Sequence, residues 1–167
     1  MSYKKSLTAT VYIVNDDRVL LHMHKKYNTW FPVGGHLEED ELPHEAALRE
    51  VKEESGLDVT LFQKEEDNFS IGLVKKVPTP LLVYNEGDKN KGGEDFLDFI
   101  YCAKTEEKEL FCEENESGIF RWFSLEELLC PEENIKIHIR NTALYCLYFV
   151  KGEENGEYFP ETEKAIL

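Results

Sequence analysis

Glu50, Glu53 and Glu54 stand three and four positions apart in the run REVKEESG. On an α-helix such positions share a face. Their carboxylates then lie within about 100° of arc and over roughly 6 Å of helix rise. Left alone, they would repel one another and weaken the helix by about a few tenths of a kcal/mol per pair. A hard divalent cation removes that repulsion, and carboxylate oxygens are the ligands that magnesium, manganese and calcium take. The plainer reading is a solvated acidic face, because the chain carries 34 acidic residues against 19 lysines and arginines.

The neighbours of the three glutamates separate these readings. Gly35, Glu41, Arg49, Glu50, Glu53, Glu54 and Gly56 follow the spacing G-x5-E-x7-R-E-x-x-E-E-x-G, with Val51 and Leu57 at aliphatic positions. The segment from Gly35 to Leu57 resembles the Nudix box, complete at every specified position. The resemblance extends less sharply to the strands before the box and to RWFSLEEL after it. It implies an α/β fold, an α/β/α sandwich with a central mixed β-sheet and the box on a loop-helix-loop. It also implies a hydrolase that cleaves the pyrophosphate linkage of a nucleoside diphosphate joined to another group. By the same resemblance Glu50, Glu53 and Glu54, helped by the Gly35 carbonyl, hold Mg2+, with Mn2+ as the alternative. Glu41 and Arg49 support them, the arginine fork reaching back to Glu41. Leu42 departs from the common pattern, which places a serine or threonine N-cap there; the loss costs about 1 kcal/mol of helix stability.

A general base is also required, and Glu53 and Glu54 are candidates. Some family members draw it from a loop before a tryptophan, here CEENESGIFRWF, where Glu116 is preferred over Glu113 and Glu114. Asp98, a polar residue within the strand-like EDFLDFIY, either faces the site or sits on a wet face. Lys25 and Lys26 are read as contacts for a terminal phosphate, against a plain surface role. Trp30 is a stacking platform or, more in keeping with its apolar neighbours, a core edge. His22, His24 and His36 could form a zinc set, but hard-oxygen chemistry is already supplied.

The elements that must position these groups follow from pattern. SLTATVYIV alternates as a strand over Leu7–Val14, and RVLLHM forms a hairpin with it across the Asn15-Asp16-Asp17 turn. Residues 25–43 read as a loop, punctuated by Pro32, Gly34 and Gly35. Pro43 suits the first turn of a helix and Gly56 the position past its end, with Ala47, Leu48 and Val51 as its core stripe. Strands are expected at Val59–Gln63, Leu81–Tyr84, Phe96–Ala103 and Ile119–Phe123, with a polar loop over 85–95. Ser124 and Glu127 spell a capping box. A last helix is expected from an Asn134 cap to Gly152.

Composition bounds the rest. A chain of 167 residues fits one domain, expected over 1–152, with an acidic tail over 153–167. A net charge of −15 argues against a duplex nucleic-acid surface. No apolar run approaches a secretory signal or the roughly 20 residues of a membrane span. Cys102, Cys112, Cys130 and Cys146 are widely spaced, so reduced thiols in the cytoplasm are expected, with Cys102 and Cys146 in the core. The expected partner is a small nucleotide and no membrane; homodimers are common in the family, and the resemblance allows one here. No downstream signature marks dinucleoside polyphosphates, ADP-ribose or reduced NAD. A nucleoside triphosphate, intact or damaged, is therefore the leading substrate class, ahead of nucleotide sugars and ADP-ribose-type compounds. A nucleotide-sensing module that binds without cleaving is the rival from another class.

Overall fold

The computed structural model describes residues 6–63, 70–71, 74–87, 95–110 and 119–155. β1 (Ser6–Asn15) turns into β2 (Arg18–His24), and Asp16 takes the left-handed conformation in the turn (φ 52°), which aspartate tolerates. β3 (Thr29–Phe31) pairs with β2, and β4 (Val33–His36) pairs with β1. The segment expected as a loop over 25–43 thus contains two short strands. Pro32 and the two glycines hide them from a pattern reading, because none carries a side chain that alternates.

Helix α1 (Pro43–Ser55) follows, then β5 (Thr60–Leu61), a separate pair β6 (Ser70–Ile71) and β7 (Val74–Lys75), and β8 (Leu82–Glu86). β9 (Phe96–Lys104) lies parallel to β1 along its whole length. β10 (Phe120–Ser124) pairs with β2, then α2 (Leu125–Leu129) and α3 (Ile137–Asn155) complete the described chain. Because only the β1–β9 pairing is parallel, the eight-stranded sheet is mixed, as expected. The capping box forms: the Glu127 carboxylate accepts from the Ser124 N–H at 2.8 Å, and Ser124 Oγ accepts from the Glu127 N–H at 3.3 Å.

The alternation of β1 divides the core. Ala9, Val11 and Ile13 pack with Ala46, Ala47 and Val51 of α1, whereas Tyr12 and Val14 pack with Ile139, Leu144 and Leu147 of α3. Helices therefore cover both faces of the sheet. Cys102 and Cys146 are buried in the α3-side core.

Several boundaries differ from expectation. Of Val59–Gln63 only Thr60 and Leu61 pair with β9. α3 starts at Ile137 and runs past Gly152. Asn134 does not cap it, because its carbonyl accepts from the Trp30 N–H (3.1 Å) and Ile135 bridges Trp30, which ties this stretch to β3. Beyond Asn155 the expected acidic tail lies outside the described residues, as does most of the expected loop over 85–95.

Candidate active site

The site begins where α1 crosses the glycine pair of β4. Pro43 opens the helix, and Glu45 accepts from the Leu42 N–H at 3.0 Å; Leu42 offers no side-chain cap. Gly56 ends it at φ 74°, its N–H bonding the Lys52 carbonyl at 3.0 Å, in the left-handed form glycine permits. The buried arc is Ala46, Ala47, Val51 and Ser55. Leu48 is 39% exposed, which corrects the expected stripe. At about 100° per residue, Glu50 and Glu54 fall between Ala46 and Ala47 on that arc, so these acids turn inward instead of away from the core.

They can do so because β4 presents bare backbone. A Cβ on Gly35 would stand 2.3 Å from Glu50 Oε1, so the carboxylate occupies the place of a side chain. Gly34 donates its N–H to Glu54 Oε2 at 3.2 Å. Glu50 is consequently only 15% exposed in its side chain, whereas Glu53 is 60% exposed.

Arg49 joins the acids. Its Nε and Nη2 grip both oxygens of Glu41 at 2.9 Å. Its Nη1 donates to Glu50 Oε1 at 2.8 Å and to Glu53 Oε2 at 3.0 Å, and Nη2 also reaches the His36 carbonyl at 3.0 Å. This is the loop-to-helix tie expected of the arginine. The hydrogen bonds from Arg49 hold the Glu41 carboxyl below the usual carboxylate range, helped by the Glu38 N–H and opposed by desolvation. Glu41 in turn raises Arg49 further above its ordinary value, with Glu50 and Glu53 adding to the effect. Both groups stay charged throughout the physiological range.

Among the described residues no three acidic, histidine or cysteine side chains already enclose a single point. Arg49 Nη1 bridges Glu50 and Glu53 in this arrangement. The donor set nevertheless fits a hard divalent cation. Carboxylates of Glu50 and Glu54 meet Gly35 and Gly34, where the missing Cβ leaves backbone open to approach, and Glu53 is joined to Glu50 through Arg49.

Glu54 also borders a cavity of about 640 Å³ on the α3 side of the sheet. Asp98, 9% exposed, faces it. Thr8 donates to Asp98 Oδ1 at 2.9 Å, and Thr10 bonds both oxygens at 3.0 and 2.8 Å. Tyr84 lines the wall and shares a 2.8 Å hydrogen bond with Thr142. His22 stacks on Phe120, and burial, then the neighbouring His24, pushes its pKa down to about 4 against a hydrogen bond to the Pro32 backbone.

Of the remaining expected groups, Lys25, Lys26 and His36 border the cavity. Trp30 does not: it is 8% exposed and packs edge-on against Phe123 at 4.9 Å, so the stacking role is corrected to a core one. Glu113, Glu114 and Glu116 lie outside the described residues. Sequence reasoning missed Thr8, Thr10, Lys136 and His138 as cavity residues. The threonines were legible, since the alternation of β1 puts Thr8, Thr10 and Tyr12 on one face. Lys136 and His138 had no local signal.

A mixed sheet between helices, with an acid-bearing helix braced on a glycine strand, defines the class to which comparison then gives a name. A family model described as NUDIX domain matches residues 4–148. A Nudix-family hydrolase of Clostridium perfringens superposes with a TM-score of 0.75 at 36% identity, covering 88% of this chain and 99% of that one. A MutT Nudix hydrolase of Burkholderia pseudomallei shares the fold at TM-score 0.61 and 23% identity, over 84% and 97% of the two chains. An ADP-ribose pyrophosphatase of Streptococcus suis does so at 0.60 and 21%, over 90% and 95%. Comparison with curated proteins gives no match. The chain belongs to the Nudix family and is a pyrophosphohydrolase by class.

Proposed function

We propose that the protein hydrolyses the pyrophosphate linkage of a nucleoside diphosphate joined to another group, with Mg2+ or, alternatively, Mn2+ as cofactor. A nucleoside triphosphate, intact or damaged, is the leading class and would yield a monophosphate and pyrophosphate. The observation that carries the reading is the seating of Glu50 on Gly35 and of Glu54 on the Gly34 N–H at the border of the cavity.

Glu50, Glu53 and Glu54, with the Gly35 carbonyl, are the groups to hold the cations. When bound, such cations neutralise the diphosphate and make a water easier to deprotonate. Arg49 fixes two of the carboxylates and is itself fixed by Glu41, so the acids are oriented before substrate arrives. Glu54 is better placed than Glu53 to accept the proton of the attacking water, because it borders the cavity while Glu53 faces solvent. The water oxygen adds to one phosphorus, and the bond to the departing phosphate breaks, with no covalent enzyme intermediate. Asp98, Lys25 and Lys26 contact the rest of the substrate.

Incubation of a nucleotide panel with Mg2+, with products identified by mass, tests this directly and separates triphosphates from nucleotide sugars and ADP-ribose-type compounds. Glu50→Gln is expected to fold and to lose phosphate release. Release at the unchanged rate in that variant would refute the assignment of the acids.

A further inference from the structure

Each of the five N–H donors of Arg49 meets an acceptor. Nε and Nη2 take the two oxygens of Glu41, both at 2.9 Å, and Nη2 also donates to the His36 carbonyl at 3.0 Å. Nη1 donates to Glu50 Oε1 at 2.8 Å and to Glu53 Oε2 at 3.0 Å. No donor is spare, and the planar guanidinium cannot turn without breaking several of these bonds. Most of them are sheltered from water: the side chains of Arg49, Glu41 and Glu50 are 22%, 13% and 15% exposed. Glu50 and Glu53 are thus each held through one oxygen. Among the described residues no hydrogen bond or ion pair engages Glu50 Oε2 or Glu53 Oε1. Glu54 is held on the Gly34 N–H through its Oε2.

This division of the oxygens bears on which cation fits. Calcium takes about 6–8 oxygen ligands in flexible geometry, and a carboxylate that gives it both oxygens helps to fill that number. Magnesium demands near-octahedral geometry, takes few carboxylates and keeps several waters. A cation chelated by both oxygens of Glu50 would be drawn towards the guanidinium nitrogen that stands 2.8 Å from Oε1. Two positive charges brought together where water is largely excluded repel strongly. Ligation through Oε2 alone keeps them apart. The same holds for Glu53 through Oε1, less firmly because that side chain is 60% exposed. We infer that Arg49 sets the cation preference of the site: by holding one oxygen of Glu50 and one of Glu53 it limits both to single-oxygen ligation, which suits Mg2+ and disfavours Ca2+. The inference rests on the proposed reading of Glu50, Glu53 and Glu54 as the groups that hold the cations. Arg49 is a positioning residue here, acting through the carboxylates it grips.

The test is calorimetric titration of the full chain with Mg2+ and with Ca2+, beside infrared difference spectra of the Ca2+-loaded protein. Chelation narrows the gap between the antisymmetric and symmetric carboxylate stretches, so the spectra report whether a carboxylate gives one oxygen or two. In Arg49→Met the ratio of Ca2+ to Mg2+ affinity should rise about tenfold or more over wild type. A chelate band absent from the wild type should appear with Ca2+. The added negative charge raises the affinity for both divalent ions alike and cancels in the ratio. A site merely loosened by the substitution would also favour Ca2+, but without the chelate band. Arg49→Lys keeps the charge and cannot reach all three carboxylates at once; it should move both readouts in the same direction by less, and it carries the test if the methionine variant does not fold. An unchanged ratio, a chelate band of equal intensity in the wild type, or a ratio that rises without that band would each overturn the inference and leave the site reading intact. Failure of the wild type to take up either cation would overturn the site reading, and the inference with it.

Discussion

Alanine at Gly35 and at Gly34 should fail in opposite ways. At Gly34 a Cβ would stand 2.4 Å from the Ala9 carbonyl oxygen and 2.8 Å from Thr10 Cα, both backbone of the central strand. The clash cannot be relieved without moving β4 off β1, and overpacking of this kind costs about 1–3 kcal/mol or more. For a chain of 167 residues that is a fall in Tm of about 2–12 °C. At Gly35 the atoms met are Oε1, Cδ and Oε2 of Glu50, at 2.3, 2.5 and 2.8 Å. These are the far end of a flexible side chain, which can swing aside at the expense of its hydrogen bond to Arg49, worth about 1 kcal/mol. Gly35→Ala should therefore melt within about 4 °C of wild type. It should nevertheless lose about 10–100-fold in activity, since Glu50 no longer rests where a cation would be held. Thermal denaturation of both variants, with kcat/KM on the substrate identified from the panel and Mg2+ titration of activity, gives the comparison. If Gly35→Ala keeps full activity, or is destabilised as much as Gly34→Ala, the seating of Glu50 on bare backbone is not what organises the site.

Arg49→Lys keeps a charge but loses the fork that spans both oxygens of Glu41 while reaching Glu50 and Glu53; an activity loss of about tenfold or more is expected, larger in kcat than in KM, by steady-state kinetics. Leu42→Ser completes the capping box whose other half, Glu45 to the Leu42 N–H, is already made. It should add about 1 kcal/mol, read as a higher midpoint in urea with an unchanged slope. His22 stays neutral in the folded state down to about pH 4, while the unfolded chain takes up its proton near about pH 6.5. Its contribution is thus intact above the unfolded value and is lost as pH falls through the folded one, by up to about 3 kcal/mol. Urea titrations between those limits should show this slope, reduced in His22→Phe, and the His22 ring proton should titrate at about 4 by NMR.

The residues of the candidate site were more legible than the strands that carry them. The box spacing depends on helix geometry, so Glu50, Glu53, Glu54 and the Gly56 cap could be placed from sequence, and the Arg49–Glu41 tie followed from the reach of the arginine. The inward turn of Glu50 and Glu54 could not, because it depends on the glycine strand lying opposite, and so Leu48 was assigned to the core in their place. β3 and β4 were illegible for a related reason: Pro32, Gly34 and Gly35 suppress alternation where β4 must let a helix carboxylate approach. Lys26 and Lys136, far apart in sequence, both lie over the Tyr27 ring, and no local pattern encodes that.

The glycine pair has a consequence for how affinity and turnover separate. Helix α1 packs on the face of β1 that bears Ala9 and Val11, whereas Thr8, Thr10 and Tyr12, on the opposite face, border the cavity. Glu54 belongs to the helix of the first face and still borders the cavity of the second, reaching it beside Gly34. A Cβ at Gly34 would collide with Ala9 and Thr10 of β1, and one at Gly35 with Glu50. The acids are thus carried by the helix of one layer, while Thr8, Thr10 and Tyr12 of the cavity wall face the other. Substitutions on the cavity face, such as Thr10→Val beneath Asp98, should change KM more than kcat, whereas changes among Glu41, Arg49 and Glu50 should do the reverse. A cavity-face variant that lowers kcat as far as Glu50→Gln, with KM unchanged, would show that the two layers do not divide the work in this way.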